Sequence, residues 1–421
     1  MPEISINTTG PFAIIKLILL TSLLSFSTST FATNSAMLEL IEILHNKGSI
    51  SDDEYGLLRN AAMADQEQIE AEKQEIQHNV DDKIQVATVT NKAADWASKI
   101  KLNGDVRLRY QGQDNDPGGT GRGRGRVRYR LGITAKPTDG WEVGAGLASG
   151  SSDPRSTNQS FDSTFSSKGI NLDYAYAQYQ VNDHIKAIGG KFKRPNYLYL
   201  TSDLMWDGDI TPEGFSMNFS YPSELGTTFA NSGIWVLEEN SGSNDDPHMM
   251  YGQLGQRFGN DSIFGSLAGT FYSFSDNPVL GSFVTAGTNS DPNFSEIFAL
   301  AGELGVKDLF GNGIRTSLFA EWVTNNDTIT SEDDGYLIGV KASQGPWSLA
   351  YNYAHLEQNA WPDILPDSDR FGGLTGIKGH EIAFTYSIMR NVAVGVDYYM
   401  IENYLFNLDQ DLIQLDLNVK F

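Results

Sequence analysis

The sequence predicts a transmembrane β-barrel of about sixteen antiparallel strands, preceded by a short α-helical segment. Two patterns favour this fold: apolar and polar residues alternate from Lys101 to the C-terminus, and short connections alternate with long ones. Composition agrees, because the 421 residues include 42 glycines and 11% aromatic residues, which serve turns and membrane interfaces in large barrels. The chain has no cysteine, which excludes disulfide scaffolds and thiolate sites.

Residues 1–32 have the layout of a secretory signal peptide. An apolar core at 17–26 follows Lys16, and small residues lead to a predicted cleavage site near Ala32. A membrane anchor is the alternative, but the apolar run is shorter than the roughly 20 residues that a spanning helix needs. We therefore expect the chain to be exported.

Residues 33–99 are predicted to form a helical periplasmic segment. An apolar stripe follows residues 37–44, and Gly48 is a plausible helix stop. Ser51 and Glu54 have the spacing of a capping box that starts a second helix. Apolar residues then recur at steps of four and seven, at Leu58, Ala62, Ile69, Ile76, Val80 and Ile84. This narrow seam is typical of a coiled coil; oligomerisation and a solvated linker both remain open as its role.

Residues 100–421 are predicted to form the barrel, because their hydrophobic period is two. In the second strand, for example, Val127, Tyr129 and Leu131 alternate with arginines. Strands of about ten residues are typical of membrane barrels. The predicted strands span 101–111, 122–136, 140–150, 168–181, 184–193, 212–221, 226–238, 248–259, 261–275, 296–308, 312–324, 334–344, 346–357, 376–389, 391–403 and 411–421.

Seven short connections alternate with eight long ones along these strands. The predicted long connections are 112–121, 151–167, 194–211, 239–247, 276–295, 325–333, 358–375 and 404–410. An outer-membrane barrel has short periplasmic turns on one rim and longer external loops on the other. An even strand count places both chain ends on the periplasmic side. The terminal Phe421 resembles the signal by which the barrel-assembly machinery recognises its substrates.

A run of basic residues at even spacing is predicted to line the pore. Its members are Arg107, Arg109, Arg124, Arg126, Arg128, Arg130, Lys191 and Lys193. The arginines alternate with apolar residues, and an arginine facing lipid near the midplane costs about 2–4 kcal/mol. We therefore expect them to face the lumen. We expect Lys191 and Lys193 to extend this basic surface, with Ile188 and Phe192 on the same strand pointing outward.

The third long connection is predicted to fold into the barrel and narrow the pore. It is rich in apolar residues, which need a surface to pack against, and it carries Asp203, Asp207 and Asp209, with Glu213 following. These acids facing a basic wall would create a transverse field that selects solutes by size and charge. The alternative is that this loop packs over the mouth or at a subunit contact.

Sequence motifs for catalysis or cofactor binding are missing. The six histidines are scattered and form no HExxH motif, no nucleophile elbow occurs, and no segment has EF-hand spacing. The sequence thus predicts no catalytic residues, no cofactor and no metal. The formal net charge of −23 also argues against nucleic acid as a partner.

Four segments together resemble the "Putative porin" family of Gram-negative bacteria. They are 104–110 (GDVRLRY), 148–162 (ASGSSDPRSTNQSFD), 171–179 (NLDYAYAQY) and 206–214 (WDGDITPEG). The resemblance implies a general-porin-like barrel in the outer membrane, in contact with lipid and lipopolysaccharide. It also implies a homotrimer that passes small hydrophilic solutes and ions by passive diffusion. An outer-membrane barrel enzyme, and an adhesin or receptor acting through its external loops, are the competing interpretations.

Overall fold

The structure is a computed structural model in two compact units, Met1–Ala94 and Asp95–Phe421. It describes residues 34–64, 71, 74–75, 99–119, 121–239, 241–242, 246–275 and 287–421. The predicted signal peptide lies outside the described residues, and so do Ile69, Ile76, Val80 and Ile84 of the predicted coiled-coil seam.

In its described residues, the N-terminal unit contains the helices α1 (Asn34–Asn46) and α2 (52–64), and residues 71 and 74–75 are also helical. Helix α1 ends where Gly48 adopts φ +68°, a left-handed conformation that glycine adopts without strain. The predicted capping box begins α2: the Ser51 backbone N–H donates to Glu54 Oε2 at 2.8 Å, and the Glu54 N–H donates to Ser51 Oγ at 3.3 Å. The bonds that the Ser51 N–H and the Ser51 hydroxyl donate to the ionised carboxylate lower the pKa of Glu54. Within the described residues, no helix is long and apolar enough to cross a membrane.

In the part of the chain that the structure describes, the second unit is an antiparallel barrel of sixteen long strands and one two-residue strand, β4. The strands are β1 (Ile100–Asp116), β2 (Arg122–Ala135), β3 (Trp141–Ser149), β4 (Gln159–Ser160), β5 (Ile170–Asn182), β6 (Ile185–Lys191), β7 (Glu213–Ser223), β8 (Gly226–Val236), β9 (His248–Gly259), β10 (Ile263–Phe274), β11 (Ile297–Leu309), β12 (Ile314–Asn325), β13 (Asp334–Gln344), β14 (Trp347–Leu356), β15 (Ile377–Met389), β16 (Val392–Asn403) and β17 (Leu408–Lys420). The predicted strand number and order are confirmed.

The barrel closes where β1 pairs with β17. Their register runs from Asp105↔Lys420 to Asp116↔Asp409, and the other long strands each pair with their neighbours in chain order. Strand β3 is short, and β4 pairs with β2 beyond it, at Arg126↔Ser160 and Val127↔Gln159. The segment 150–169 therefore covers the end of β2 that begins at Arg122, which is its upper end.

One rim has short turns and the other carries most of the long loops. The short turns contain two to five residues: 345–346 is among the shortest, and 136–140 is the longest. The longest loops are 150–169, 192–212, 275–296 and 357–376. Two connections predicted to be long are not: β1 and β2 are joined by 117–121, and β16 and β17 by 404–407. These strands extend further than predicted because β1 and β17 remain paired up to Asp116↔Asp409.

The outer face of the barrel is apolar. Exposed side chains at alternating positions near the middle of the strands include Leu254, Leu267, Leu300, Leu318 and Ile338. Aromatic side chains are exposed near the short-turn rim: Trp141, Tyr179, Tyr221, Phe258 and Tyr386. A band of aliphatic residues beside aromatic residues matches the hydrocarbon core and interface of a bilayer.

The hydrophobic core lies inside the barrel rather than between sheets. It combines inward residues of the strands with residues of the loops 192–212 and 357–376. Trp206, Trp235 and Trp361 are at its centre: the Trp206 ring centroid lies 5.3 Å from Trp235 and 5.7 Å from Trp361, both in edge-on geometry. Much of the lumen beside β6–β16 is therefore filled.

Leu254→Arg tests the membrane-facing assignment. Leu254 is 65% exposed at the middle of β9, so a charge there should lower the free energy of unfolding in lipid vesicles by about 2–4 kcal/mol. Urea titration of the vesicle-bound protein measures it.

The matched control is Leu225→Arg, because Leu225 is exposed in the short turn 224–225. It should change the free energy of unfolding by less than about 1 kcal/mol. Equal effects at both positions would contradict a lipid-facing β9.

Candidate functional site

The six arginines of the predicted basic wall all lie on the inner face of β1 and β2. Alternate residues of these strands, such as Leu108 and Tyr129, are exposed on the outer face. The register places Arg109 opposite Arg126 and Arg107 opposite Arg128. The period-two pattern thus places these six arginines on one face of the sheet.

Four of these arginines are neutralised by two carboxylates that sequence reasoning did not assign to the wall. Asp105 on β1 accepts from Arg128 Nη2 and from Arg130 Nε, both at 2.7 Å. Asp416 on β17 receives two bonds of 2.7 Å from Arg109, and Arg107 Nε lies 3.3 Å from its Oδ2. Alternation with apolar residues places both acids on the inner face, so the sequence pattern could have predicted that they face the arginines.

The other two arginines of the wall, Arg124 and Arg126, have no ion-pair partner in the described residues. Among the described residues, neither Arg124 nor Arg126 has a carboxylate oxygen within 4.0 Å. Arg126 is buried and donates to neutral acceptors, namely Gln111 Oε1 at 2.8 Å, Ser156 Oγ at 3.1 Å and the Asn158 carbonyl at 3.2 Å. No hydrogen bond from Arg124 is found in the described part of the chain.

The two lysines occupy different faces. Lys191 is paired in register with Ala175 and Glu213 on the outer face, and its Nζ lies 2.9 Å from Glu213 Oε1. Lys193 follows the strand, and its Nζ lies 4.7 Å from the centroid of the Tyr174 ring, whose residue lines the lumen. Lys191 and Glu213 therefore form an outer-face ion pair, which corrects their expected places in the wall and the loop.

Ile188 and Phe192 point inward, contrary to expectation. Their exposed fractions are 3% and 0%, and both belong to the core inside the barrel. The reason is the loop 192–212: its apolar residues give the inner face of β6 an apolar neighbour, so apolar side chains need not face lipid there.

The loop 192–212 lies inside the barrel and crosses it. Its Tyr199 N–H donates to Gln253 Oε1 of β9 at 2.9 Å, and the Tyr199 hydroxyl contacts Ser266 of β10. Further along, the Lys341 ammonium of β13 donates to the Thr201 carbonyl at 3.4 Å. These partners lie well within their strands, so the loop passes below the rim.

A buried carboxylate on β12 anchors the same loop. Glu321 is 2% exposed and accepts the backbone N–H groups of Thr201 and Ser202, the latter at 2.7 Å. The Ser202 hydroxyl donates to its other oxygen at 2.7 Å. These bonds replace the hydration that the carboxylate loses on burial.

The three loop acids have different partners. Asp209 is nearest the basic wall, with Oδ1 3.7 Å from Arg130 Nη1, and it accepts from the N–H and hydroxyl of Thr157 at 3.0 Å. Asp207 is buried and accepts the Ser368 N–H at 2.9 Å. Asp203 Oδ1 lies 3.6 Å from Arg370 Nε, away from the predicted wall.

A second inserted loop, 357–376, was not predicted. Its Arg370 is fully buried and forms an ion pair with Glu381 of β15, while Nη2 donates to Asn352 Oδ1 at 3.0 Å. Backbone bonds join the two loops: the Asp207 N–H donates to the Leu365 carbonyl at 2.6 Å, and the Asp367 N–H to the Asp203 carbonyl at 3.2 Å. The inserted loops therefore form one connected body.

Cavities remain beside β1–β6, where the lumen is not filled. An upper cavity of about 330 Å³ is lined by Arg124 and Arg126. A lower cavity of about 180 Å³ is lined by Tyr174 and Lys193, and one of about 590 Å³ lies at the short-turn rim, beside Lys186.

The C-terminal residue closes the sheet beside Gly104. Phe421 exchanges two backbone hydrogen bonds of 3.0 Å with Gly104. A Cβ atom on residue 104 would lie 2.5 Å from the Phe421 ring and 2.4 Å from the Arg130 carbonyl oxygen. Only glycine leaves room for this aromatic ring.

No group of three or more His, Asp or Glu side chains in the described residues is arranged to hold a metal ion.

The family model described as "Putative porin" matches residues 116–292 and 315–421. The chain belongs to this family. It is a porin of the outer membrane, a channel through which solutes diffuse. Family and fold both indicate a channel rather than an enzyme. No curated protein matches the sequence.

The porin is also similar to solved structures. The high-pH structure of Pseudomonas putida OprB superposes with a TM-score of 0.55 at 13% identity, covering 78% of this chain and 96% of that chain. A mutant of the Rh. blastica porin has a TM-score of 0.45 at 12% identity, covering 76% of this chain and 100% of that chain. The first of these likenesses supports the barrel fold.

The carboxyl group of Asp207 makes the joined loops sensitive to pH. Burial raises its pKa to about 7, and the negative charge of Asp209 adds to the effect. Because the folded pKa exceeds the unfolded value of about 3.9, the folded protein binds an additional proton between pH 7 and 4. Its stability should therefore rise as pH falls through this window, by up to about 1.4 kcal/mol per pH unit from this group.

Urea unfolding of the vesicle-bound porin at pH 5 and pH 8 measures this difference. Asp207→Asn should reduce it, since asparagine does not titrate; Asp367, whose pKa burial also raises, will retain part of it. An unchanged pH dependence in Asp207→Asn would show that Asp207 does not titrate in this range.

Proposed function

We propose that the porin passes small hydrophilic solutes and ions passively, along a path beside β1–β6. The observation that carries this proposal is the uneven filling of the lumen. The core beside β6–β16 is packed with buried residues of two inserted loops, whereas the upper, lower and rim cavities follow one another along the opposite wall.

The narrowest point of this path is proposed to lie where Asp209 of the inserted loop meets Arg130 of the wall. Their nearest charged atoms are 3.7 Å apart. Arg130 belongs to the wall between the residues of the upper and lower cavities. Opposite charges facing each other at a constriction select solutes by charge and by dipole.

The wall is proposed to favour anions. Four of its arginines, Arg107, Arg109, Arg128 and Arg130, share the carboxylates Asp416 and Asp105. The other two arginines, Arg124 and Arg126, have no such partner within 4.0 Å in the described residues. The uncompensated charge on the path is therefore positive, although the whole chain is acidic.

Several features of assembly belong to the same proposal. Residues 1–32 act as the export signal, the short-turn rim faces the periplasm, and residues 33–99 form a periplasmic helical segment. Phe421 serves recognition by the barrel-assembly machinery, and its pairing beside Gly104 supports a role in closing the sheet. The mature porin forms trimers surrounded by outer-membrane lipid and lipopolysaccharide, with residues 33–99 contributing a coiled coil.

Single-channel recording tests the function directly. The porin, purified from outer membranes in detergent, should produce stable ohmic steps in a planar bilayer, in groups of three for a trimer. The reversal potential in a potassium chloride gradient should indicate anion preference, because the unpaired arginines line the path.

Silence from a protein shown to be folded would contradict a diffusion channel and favour the receptor or enzyme interpretation. Cation preference would contradict the proposed path along the basic wall.

Asp209→Ser tests the constriction. Removing this carboxylate breaks its contact with Arg130 and takes away negative charge, so single-channel conductance and anion preference should both increase, by roughly twofold for a narrow point dominated by one charge pair. The same bilayer recording measures both quantities.

The control Glu239→Ser also removes one negative charge, but from an exposed residue of the loop 237–247. It should change conductance little, because solvent and salt screen exposed charges. Equal effects of the two variants would show that the net charge of the mouth, rather than the Arg130 contact, controls permeation.

A further inference from the structure

We propose that the upper cavity is a binding site for small oxyanions, which it holds before they pass the constriction. This inference names a solute class and rests on the proposed diffusion function. The site lies between the upper inner face of β2 and the loops 150–169 and 357–376. Two of its lining residues, Arg124 and Arg126, supply the charge.

The charges around the cavity are unevenly paired. Asp153 accepts two bonds of 3.0 Å from Arg155, and Asp369 Oδ2 lies 3.7 Å from Nη1 of Arg109, an arginine that is also paired with Asp416. Arg124 and Arg126 are thus left without a counter-ion within 4.0 Å in the described residues. An anion entering the cavity would supply one.

The chemistry of the remaining lining also suits an oxyanion. Apart from Leu412 and Gly372 it is polar and neutral, with the amides of Gln111, Gln113 and Gln410 and the hydroxyls of Ser156 and Ser368. Such groups can accept from, or donate to, the hydroxyl groups of a hydrophilic solute without repelling its charge. A site for cations would instead present unpaired carboxylates.

Arg124 and Arg126 are two residues apart on one face of β2, so their Cα atoms are about 7 Å apart. At this spacing Arg124 can form a paired hydrogen bond with an oxyanion, while Arg126, whose two Nη2 hydrogens already have acceptors, adds its positive charge and its unpartnered Nε–H. Arg126 is held by its three bonds to neutral acceptors, which fixes one side of the site in advance. The volume of about 330 Å³ admits a small organic acid.

The position of the site gives it a role in permeation. Below it on the same strand, Arg128 and Arg130 are paired with Asp105, so the passage changes from uncompensated to compensated charge. An oxyanion would be concentrated above the constriction and then released along paired charges that bind it weakly.

Arg124→Gln tests the site, and Arg122→Gln is its matched control. Arg122 lies on the same strand and loses the same charge, but it is exposed and does not line the cavity. In bilayer recordings at constant ionic strength, malate or inorganic phosphate should reduce the open-channel current of the wild-type porin with increasing concentration. Erythritol, an uncharged probe similar in size to malate, should not.

The expected result is that Arg124→Gln raises the half-blocking concentration about tenfold, whereas Arg122→Gln raises it less than twofold. Arg124→Lys keeps the positive charge but loses the paired hydrogen-bond donors of the guanidinium, so its half-blocking concentration should be intermediate. The anion with the lower half-blocking concentration, malate or phosphate, indicates whether carboxylates or phosphates are the solute class.

Two outcomes would overturn the site. Equal shifts in Arg124→Gln and Arg122→Gln would show a long-range field instead of a pocket, and open channels insensitive to both anions would show that no site exists. Both results leave the diffusion function intact, whereas the absence of channels altogether would count against that function first.

Discussion

The spanning strands must pair all their backbone N–H and C=O groups within the protein, because hydrocarbon offers no partners. The pairing of β1 with β17 meets this constraint by closing the sheet, and much of the inner wall follows from it. The closing register places Arg109 beside Asp416, residues that are 307 positions apart in the chain. It also extends β1 and β17 far toward the long-loop rim, which shortens the connections there.

A sixteen-strand barrel is wider than its own wall side chains can fill. Two inserted loops, 192–212 and 357–376, fill one side of this porin, and buried polar contacts hold them. Glu321 anchors the first loop and Arg370 the second. Such buried charges add little net stability compared with an apolar substitute, but removing one partner would leave the other uncompensated. Their effect is therefore to fix where the loops lie, and so where the passage remains open.

The basic wall combines two kinds of arginine. Those sharing Asp105 and Asp416 crosslink β1, β2 and β17 and belong to the structure of the wall. Arg124 and Arg126 on β2 have no carboxylate oxygen within 4.0 Å in the described residues and line a cavity that a solute can enter. The arginines of the basic wall look alike in the sequence, but the structure pairs only some of them with carboxylates. The positive charge available for selectivity is therefore concentrated above the constriction.

The sequence by itself determined the strand number, the order of the strands, the capping box of α2 and the inner face of β1 and β2, because each depends on a local period or spacing. It also placed β9 and β13 to the residue, at 248–259 and 334–344. Only the tertiary structure decided that Lys191 faces outward, that Ile188 faces a filled lumen, and that Asp416 neutralises Arg109. The physical reason is that alternation specifies the two faces of a strand. Which residues pack against each face depends on segments that are distant in the chain.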